Sequence, residues 1–203
     1  MENCDEKAKV LASKYLFKKP WLTVRQEKIE LPNGVIVPEY YILEYPDWVN
    51  TLAITKDKKF VMIRQYRHGS QTTNYEFCGG CVDPEDESPM AAAQRELFEE
   101  TGYGNGTWKM NMKMSTNPST NANWTYNFIA EDVELLDSKQ HLDGGECLTV
   151  HLLTLDEIKR LLKENGIARL CIVEIHCRKP FALTIMMQKP RPFGAGLFYK
   201  TEP

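Results

Sequence analysis

Apolar and polar positions alternate through most of the first third of the chain, and this two-residue period predicts strands. Leu22–Leu31 alternates loosely and runs into Pro32-Asn33-Gly34, a sequence that favours a tight turn. Val35–Glu44 resumes the extended pattern with Tyr40, Tyr41 and Ile42, so residues 22–44 are predicted to form a hairpin. Pro46-Asp47 interrupts it. A second strand pair is predicted at Trp48–Thr55 and Phe60–Gln65, joined by the polar turn Lys56-Asp57-Lys58-Lys59. Shorter extended pieces follow at Tyr75–Phe77, leading into Gly79-Gly80, at Thr125–Ala130 before the acidic stretch Glu131–Asp137, and at Leu148–Leu153.

Two segments switch to helical character. Ser88 suits an N-cap, Pro89 the first helical position and Gly102 the residue just past the end, with strong helix formers between them. Thr154–Asn165 is amphipathic and closed by Gly166; Asp156 and Glu157 in its first turn and Lys163 in its last agree with the helix dipole. Strands before and after two helices predict an α/β domain, a mixed sheet covered by helices.

With 42% hydrophobic and 26% charged residues, the 203-residue chain has ordinary globular composition, enough for one domain with an extension or two. The longest apolar runs are four or five residues, as at Leu170–Val173, too short to span a bilayer. Met1–Val10 has no apolar core, so no secretory signal is expected there. The net charge of −3 leaves no footprint for nucleic acid or anionic lipid, and a protein of this sign needs a cation to handle phosphates. Six cysteines in such a chain read as cytosolic thiols, which places the protein in the cytoplasm. Residues 167–203 differ from the rest: six Lys/Arg against two Glu, three prolines within Pro180–Pro192 and no helical period. That basic segment is either a solvated tail or a partner-binding one.

The chemistry concentrates on the first helix. Glu96, Glu99 and Glu100 stand at i, i+3 and i+4 and so share one face, where like charges cost roughly 0.2–0.5 kcal/mol per pair. They also crowd the last two turns, where the dipole penalises anions by ~0.3–1 kcal/mol each. Only Arg95 is near enough in sequence to offset them. Such a helix end is either a solvated acidic face or a site whose function overrides local preference. The Gly79-Gly80 turn upstream tips the balance, since it brings backbone close to the helix and offers a carbonyl. Carboxylates plus one carbonyl form an oxygen set suited to Mg²⁺ or Mn²⁺.

These residues carry a resemblance. Gly80…Glu87…Arg95-Glu96-Leu97-Phe98-Glu99-Glu100-Thr101-Gly102-Tyr103 resembles the Nudix box, G-x5-E-x7-R-E-U-x-E-E-x-G-U, where U is a bulky apolar residue. From Glu87 onward every fixed position matches. Upstream, six residues rather than five separate Gly80 from Glu87, an insertion that the Pro84–Asp86 loop can absorb. The resemblance implies a Nudix fold, a mixed β-sheet sandwiched between helices, here with an N-terminal antiparallel β extension over residues 1–47, a catalytic domain over 48–166 and the basic segment over 167–203. It also implies that Glu96, Glu99 and Glu100, with the Gly79 carbonyl, hold Mg²⁺ or Mn²⁺. Arg95 would orient the glutamates and Glu87 would support the box by hydrogen bonding. The activity implied is hydrolysis of a nucleoside diphosphate linked to a group X.

Outside the box, Gln65-Tyr66-Arg67 and Glu76-Phe77-Cys78-Gly79-Gly80 resemble the Q-[YF]-R and E-[FL]-P-[AG]-G patterns of the ADP-ribose pyrophosphatase branch, with Cys78 in place of the usual proline. Pro118, fifteen residues beyond Tyr103, matches a proline of that subgroup. By this resemblance Arg67 would bind phosphate, Glu76 would sit beside the metals, and the substrate would be ADP-ribose. GDP-mannose, another nucleoside diphosphate sugar, or ligand sensing without turnover are the alternatives. Members of the branch often dimerise through an N-terminal sheet, so a homodimer is expected. Trp21 and Tyr40 would then be an adenine clamp or ordinary sheet packing, and Arg25 a ligand contact or a strand-surface charge. For the general base the candidates are Glu146 and Asp143 in His141-Leu142-Asp143-Gly144-Gly145-Glu146, or box Glu96 or Glu99.

Two weaker signals are set aside. Cys78-Gly79-Gly80-Cys81 has redox or zinc spacing, but an acidic loop follows it and no second pair lies at matching spacing. His68 ends the Tyr66-Arg67-His68 run, where a solvated strand end is the simpler reading.

Overall fold

A computed structural model describes residues 6–164, 166–169, 174–176 and 182–184. The chain opens with β1 (Lys9–Lys19), β2 (Leu22–Glu30) and β3 (Ile36–Glu44), which form a three-stranded antiparallel sheet in that order. The β2–β3 turn closes where Pro32-Asn33-Gly34 predicts it, with the Gly34 amide donating to the Leu31 carbonyl at 2.8 Å and Gly34 at φ +81°.

The second sheet holds β4 (Trp48–Thr55), β5 (Phe60–Arg67), β6 (Thr72–Glu76), β7 (Tyr103–Gly104), β8 (Thr107–Met114), β9 (Thr125–Leu135), β10 (Leu148–Leu153) and β11 (Ile167–Arg169). Its path runs β11-β6-β5-β4-β9-β7, with β10 paired to β5 and β8 to β9. β4 and β9 run parallel from Trp48↔Thr125 to Thr55↔Val133, and β11 runs parallel to β6; the other pairs are antiparallel, so the sheet is mixed. β12 (Glu174–His176) and β13 (Ala182–Thr184) form a separate two-stranded pair.

Each face of the large sheet is covered by one helix. α1 (Pro89–Thr101) lays Ala92, Ala93 and Leu97 on Val49, Ala53, Val61 and Ile63. α2 (Leu155–Lys163) lays Ile158 on Leu52, Phe60, Met62 and Phe77 of the opposite face. The Thr154 side chain and Glu157 form a capping box at the start of α2. At ~25 cal/mol per Å² of apolar area, these two layers supply the drive that fixes the sheet. No helix among the described residues is long and apolar enough to cross a membrane.

Two observed strands, β1 and β8, have no counterpart among the predicted elements, and one predicted strand is extended. β1 has no alternation to betray it, and all eleven of its residues are exposed. After Thr107 and Trp108, β8 is built from Lys, Met and Asn with no β-branched residue, and it is held by pairing with β9. β9 continues through the acidic stretch to Leu135, past an irregularity where Asp132 takes φ +59°. The basic segment after residue 166 falls largely outside the described residues, as do Cys4, Cys171 and Cys177.

Candidate active site

The site is assembled around α1. The Ser88 hydroxyl accepts the Ala91 amide at 3.1 Å, Pro89 fills the first turn, and Gly102 ends the helix in the left-handed region at φ +74°. Ala93, Leu97 and Glu100 follow one another at i, i+4 and i+7, so the stripe that packs on the sheet ends in a carboxylate. Glu100 is accordingly only 3% exposed. Its Oε2 accepts the Gly79 amide at 3.0 Å.

The strand-like segment after β6 explains the two glycines. The Cys78 and Gly80 carbonyls accept the Thr51 and Val49 amides of β4 at 2.8 and 2.9 Å. Alternation along the segment turns the Gly79 amide and carbonyl the other way, toward α1. A methyl group at Gly80 would overlap the Glu96 carboxylate, and one at Gly79 would overlap the Val49 carbonyl. Bare backbone is therefore what lets the glutamates lie against this strand.

Arg95 organises the acids. Its Nη1 donates to Glu96 Oε1 at 3.1 Å and Glu99 Oε2 at 3.0 Å. Nε and Nη2 donate to the two oxygens of Asp86 at 3.0 and 2.8 Å, and Nη2 also reaches the Cys81 carbonyl at 3.1 Å. These bonds use all five N–H groups of the guanidinium and hold its pKa far above the usual range. Burial pushes the Glu96 carboxyl up to about 6, with Arg95 pulling the other way and Glu99 and Glu146 adding to the rise. The Glu87 side chain, expected to support the box, is exposed and makes no bond among the described residues; Asp86 holds Arg95 instead.

Glu96, Glu99, Glu100, Arg95 and Gly79 line one cleft of about 320 Å³, together with Arg67, Glu146 and Trp21. Glu76 lies 1% exposed beneath it and receives Arg67 through Nε at 3.0 Å and Nη2 at 2.8 Å. Glu146 is near enough to raise the pKa of both Arg67 and Glu96. Its loop is tied to the end of α1: Gln140 Nε2 donates to the Glu100 carbonyl at 2.6 Å and the His141 amide to the Glu99 carbonyl at 2.9 Å. The His141 ring stacks on Phe98 at 5.4 Å.

Two candidates are placed elsewhere within the chain. The Tyr40 hydroxyl donates to the Ser119 carbonyl at 2.5 Å, and Arg25 pairs with Glu27 and Glu44 on the small sheet. The cleft also contains Trp48, Asp83 and His141, which the sequence does not single out. Trp48 reads there as the first residue of a core strand. The extra residue before Glu87 is the one sequence signal that points to the 83–86 loop.

A NUDIX domain model matches residues 45–171. The chain belongs to the Nudix family. A nucleoside diphosphate sugar hydrolase N-terminal domain model matches residues 9–43, the span of the small sheet. An ADP-ribose pyrophosphatase from Bacillus subtilis (strain 168) is 31% identical over 82% of this chain and 88% of its own length. A methanol dehydrogenase activator from Bacillus methanolicus is 29% identical over 78% of this chain and 85% of its own. Among solved structures, a crystal structure of an ADP compounds hydrolase superposes with a TM-score of 0.67 at 28% identity, covering 78% of this chain and 84% of that one. The chain is thus a Nudix pyrophosphohydrolase similar to the ADP-ribose pyrophosphatases.

Nudix hydrolases use divalent metals, and the chemistry of this donor set fits one. Carboxylates of Glu96, Glu99 and Glu100 share the cleft with Gly79, giving the all-oxygen environment that hard cations take. Glu96 and Glu99 lean on Arg95 and Glu100 on the Gly79 amide, so among the described residues no three acidic, histidine or cysteine side chains already converge on one point. Burial raises the Glu96 carboxyl, and Glu99 and Glu146 add to the rise, so a cation among these carboxylates would favour their charged form.

Proposed function

We propose that this Nudix protein hydrolyses ADP-ribose to AMP and ribose 5-phosphate with Mg²⁺, Mn²⁺ serving as a substitute. The observation that carries the reading is the shared cleft: the box glutamates on one side, and on the other an arginine, Arg67, whose Nη1 makes no bond among the described residues. Glu76 holds Nε and Nη2, and this fixes the guanidinium while leaving donors for a phosphate oxygen. In this reading Trp21 and Trp48, which line the same cleft, take the adenine between apolar faces. Held by Glu96, Glu99, Glu100 and the Gly79 carbonyl, Mg²⁺ supplies positive charge to the diphosphate and acidifies water. Water adds its oxygen to one phosphorus as the bridging P–O bond breaks, and Glu146, a loop carboxylate lining the cleft, receives the proton. Arg95 keeps Glu96 and Glu99 together throughout.

The protein is further proposed to work as a cytoplasmic homodimer. Cys78, Cys81 and Cys147 form no disulfide among the described residues, which supports the compartment. Val10, Tyr15 and Phe17 of β1 are each at least half exposed, which supports a second copy on the small sheet.

The test is AMP and GMP release from ADP-ribose, ADP-glucose, GDP-mannose and dinucleotides, with Glu100→Gln as control. AMP and ribose 5-phosphate from ADP-ribose, lost in the variant, is the expected result. GMP release would move the substrate to a guanosine sugar. Silence across the panel with either metal would overturn the hydrolase reading in favour of a ligand sensor.

A further inference from the structure

The 83–86 loop does something that the spacing of the box does not predict. Asp83-Pro84-Glu85-Asp86 closes as a β-turn, with the Asp86 amide donating to the Asp83 carbonyl at 3.1 Å and proline at the second position, where its fixed φ suits such a turn. The Asp86 carboxylate then folds back, and its Oδ2 accepts the Asp83 amide at 2.8 Å. Both oxygens also meet Arg95 side-on, through Nε and Nη2 at 3.0 and 2.8 Å, in a paired guanidinium–carboxylate geometry. The Asp86 side chain is 9% exposed, whereas Glu87, next along the chain, points into solvent without a partner among the described residues.

We propose that Asp86, carried by the extra residue in this loop, is the positioning residue that locks Arg95 and through it sets Glu96 and Glu99, with Glu87 dispensable. The physical argument is the division of labour on one guanidinium. Nε and Nη2 are consumed by Asp86, the Cys81 carbonyl and a 3.2 Å ion pair with Asp83. That leaves only Nη1 facing the helix, and Nη1 spans Glu96 and Glu99. Without Asp86 the guanidinium is free to swing and form a paired bond with a single glutamate, so the two carboxylates lose their common spacer. The role of these glutamates toward a metal rests on the function proposed above. The Asp86–Arg95 lock itself does not.

The experiment compares Asp86→Asn and Glu87→Gln in the full-length protein by three readouts. In metal-free protein, NMR of the Arg95 Nε–H reports the lock by its protection from exchange. Electron paramagnetic resonance with Mn²⁺ alone reports binding, and hydrolysis reports kcat and KM separately. Asp86→Asn is expected to expose the Arg95 Nε–H and weaken Mn²⁺ binding about 10–100-fold, the usual loss when a partner of a ligand set is removed. It should also lower kcat with little change in KM. Glu87→Gln is expected to match wild type in all three. The reverse pattern, or an Asp86→Asn protein with a protected Arg95 and unchanged Mn²⁺ affinity, would overturn the assignment. If wild type binds no Mn²⁺, the function reading fails while the Arg95 signal still decides for or against Asp86. Should Asp86→Asn not fold, Glu87→Gln decides: wild-type behaviour supports the proposal, and a lost Arg95 signal or weakened Mn²⁺ overturns it.

Discussion

β1 and β4 are both well-formed strands, yet they are held in different ways. Seven of the eight residues of β4 are buried, between β5 and β9 in the sheet and between α1 and α2 across it. All eleven residues of β1 are exposed, on a sheet edge with Val10, Tyr15 and Phe17 open to solvent. For β4 the chain supplies its own environment; for β1 it supplies pairing with β2 and little more. The cleft straddles the two regimes. Trp48 is the first residue of β4, while Trp21, 77% exposed, stands in the turn between β1 and β2.

The widest break in this comparison is a cavity in the enclosed region. Leu97→Ala removes a side chain with 0% exposure and should cost about 2–5 kcal/mol, read as a lower thermal midpoint. Phe17→Ala on β1 should leave the stability of the isolated monomer within ~0.5 kcal/mol. Sedimentation should instead show dimer dissociation rising by about tenfold or more, as when an aromatic anchor is lost from an interface.

A smaller effect separates cleft from core by pH. The Glu96 carboxyl is raised from 4.5 to about 6, so between these values the folded metal-free protein binds more protons than the unfolded one. Its stabilising effect is full below 4.5 and lost as pH rises through 6. A bound cation needs that proton gone, so Mg²⁺ affinity by calorimetry should fall roughly tenfold per unit below pH 6 while the metal-free melting point rises. The smallest expected effect is at the far face. Thr154→Ala breaks the capping box of α2 and should cost about 1 kcal/mol without changing Mn²⁺ affinity.

The parts of the molecule that were legible in the sequence are those whose environment is local. α1 announces itself through Ser88, Pro89 and Gly102, and β4 and β10 through segments rich in apolar residues; their observed bounds coincide with the predicted ones. β8 and the far half of β9 were not legible, because Lys, Met and Asp residues there are strand only by virtue of their partner. In the cleft, the box glutamates and Arg95 lie with Arg67, the residues that the resemblance brings to one site. Asp86 escaped notice because the register favours Glu87, and a carboxylate's partner is chosen by the turn that aims it. Tyr40 and Arg25 carry suitable chemistry, but their side chains are spent on Ser119 and Glu44.

The tie between the 138–147 loop and the end of α1 joins two walls of the cleft. Gln140 and the His141 amide take the Glu100 and Glu99 carbonyls, which a helix terminus would otherwise offer to water. The loop therefore cannot lift without uncapping the turn on which those two glutamates stand. The placement of the loop and the order of the helix end that carries Glu99 and Glu100 are thereby coupled.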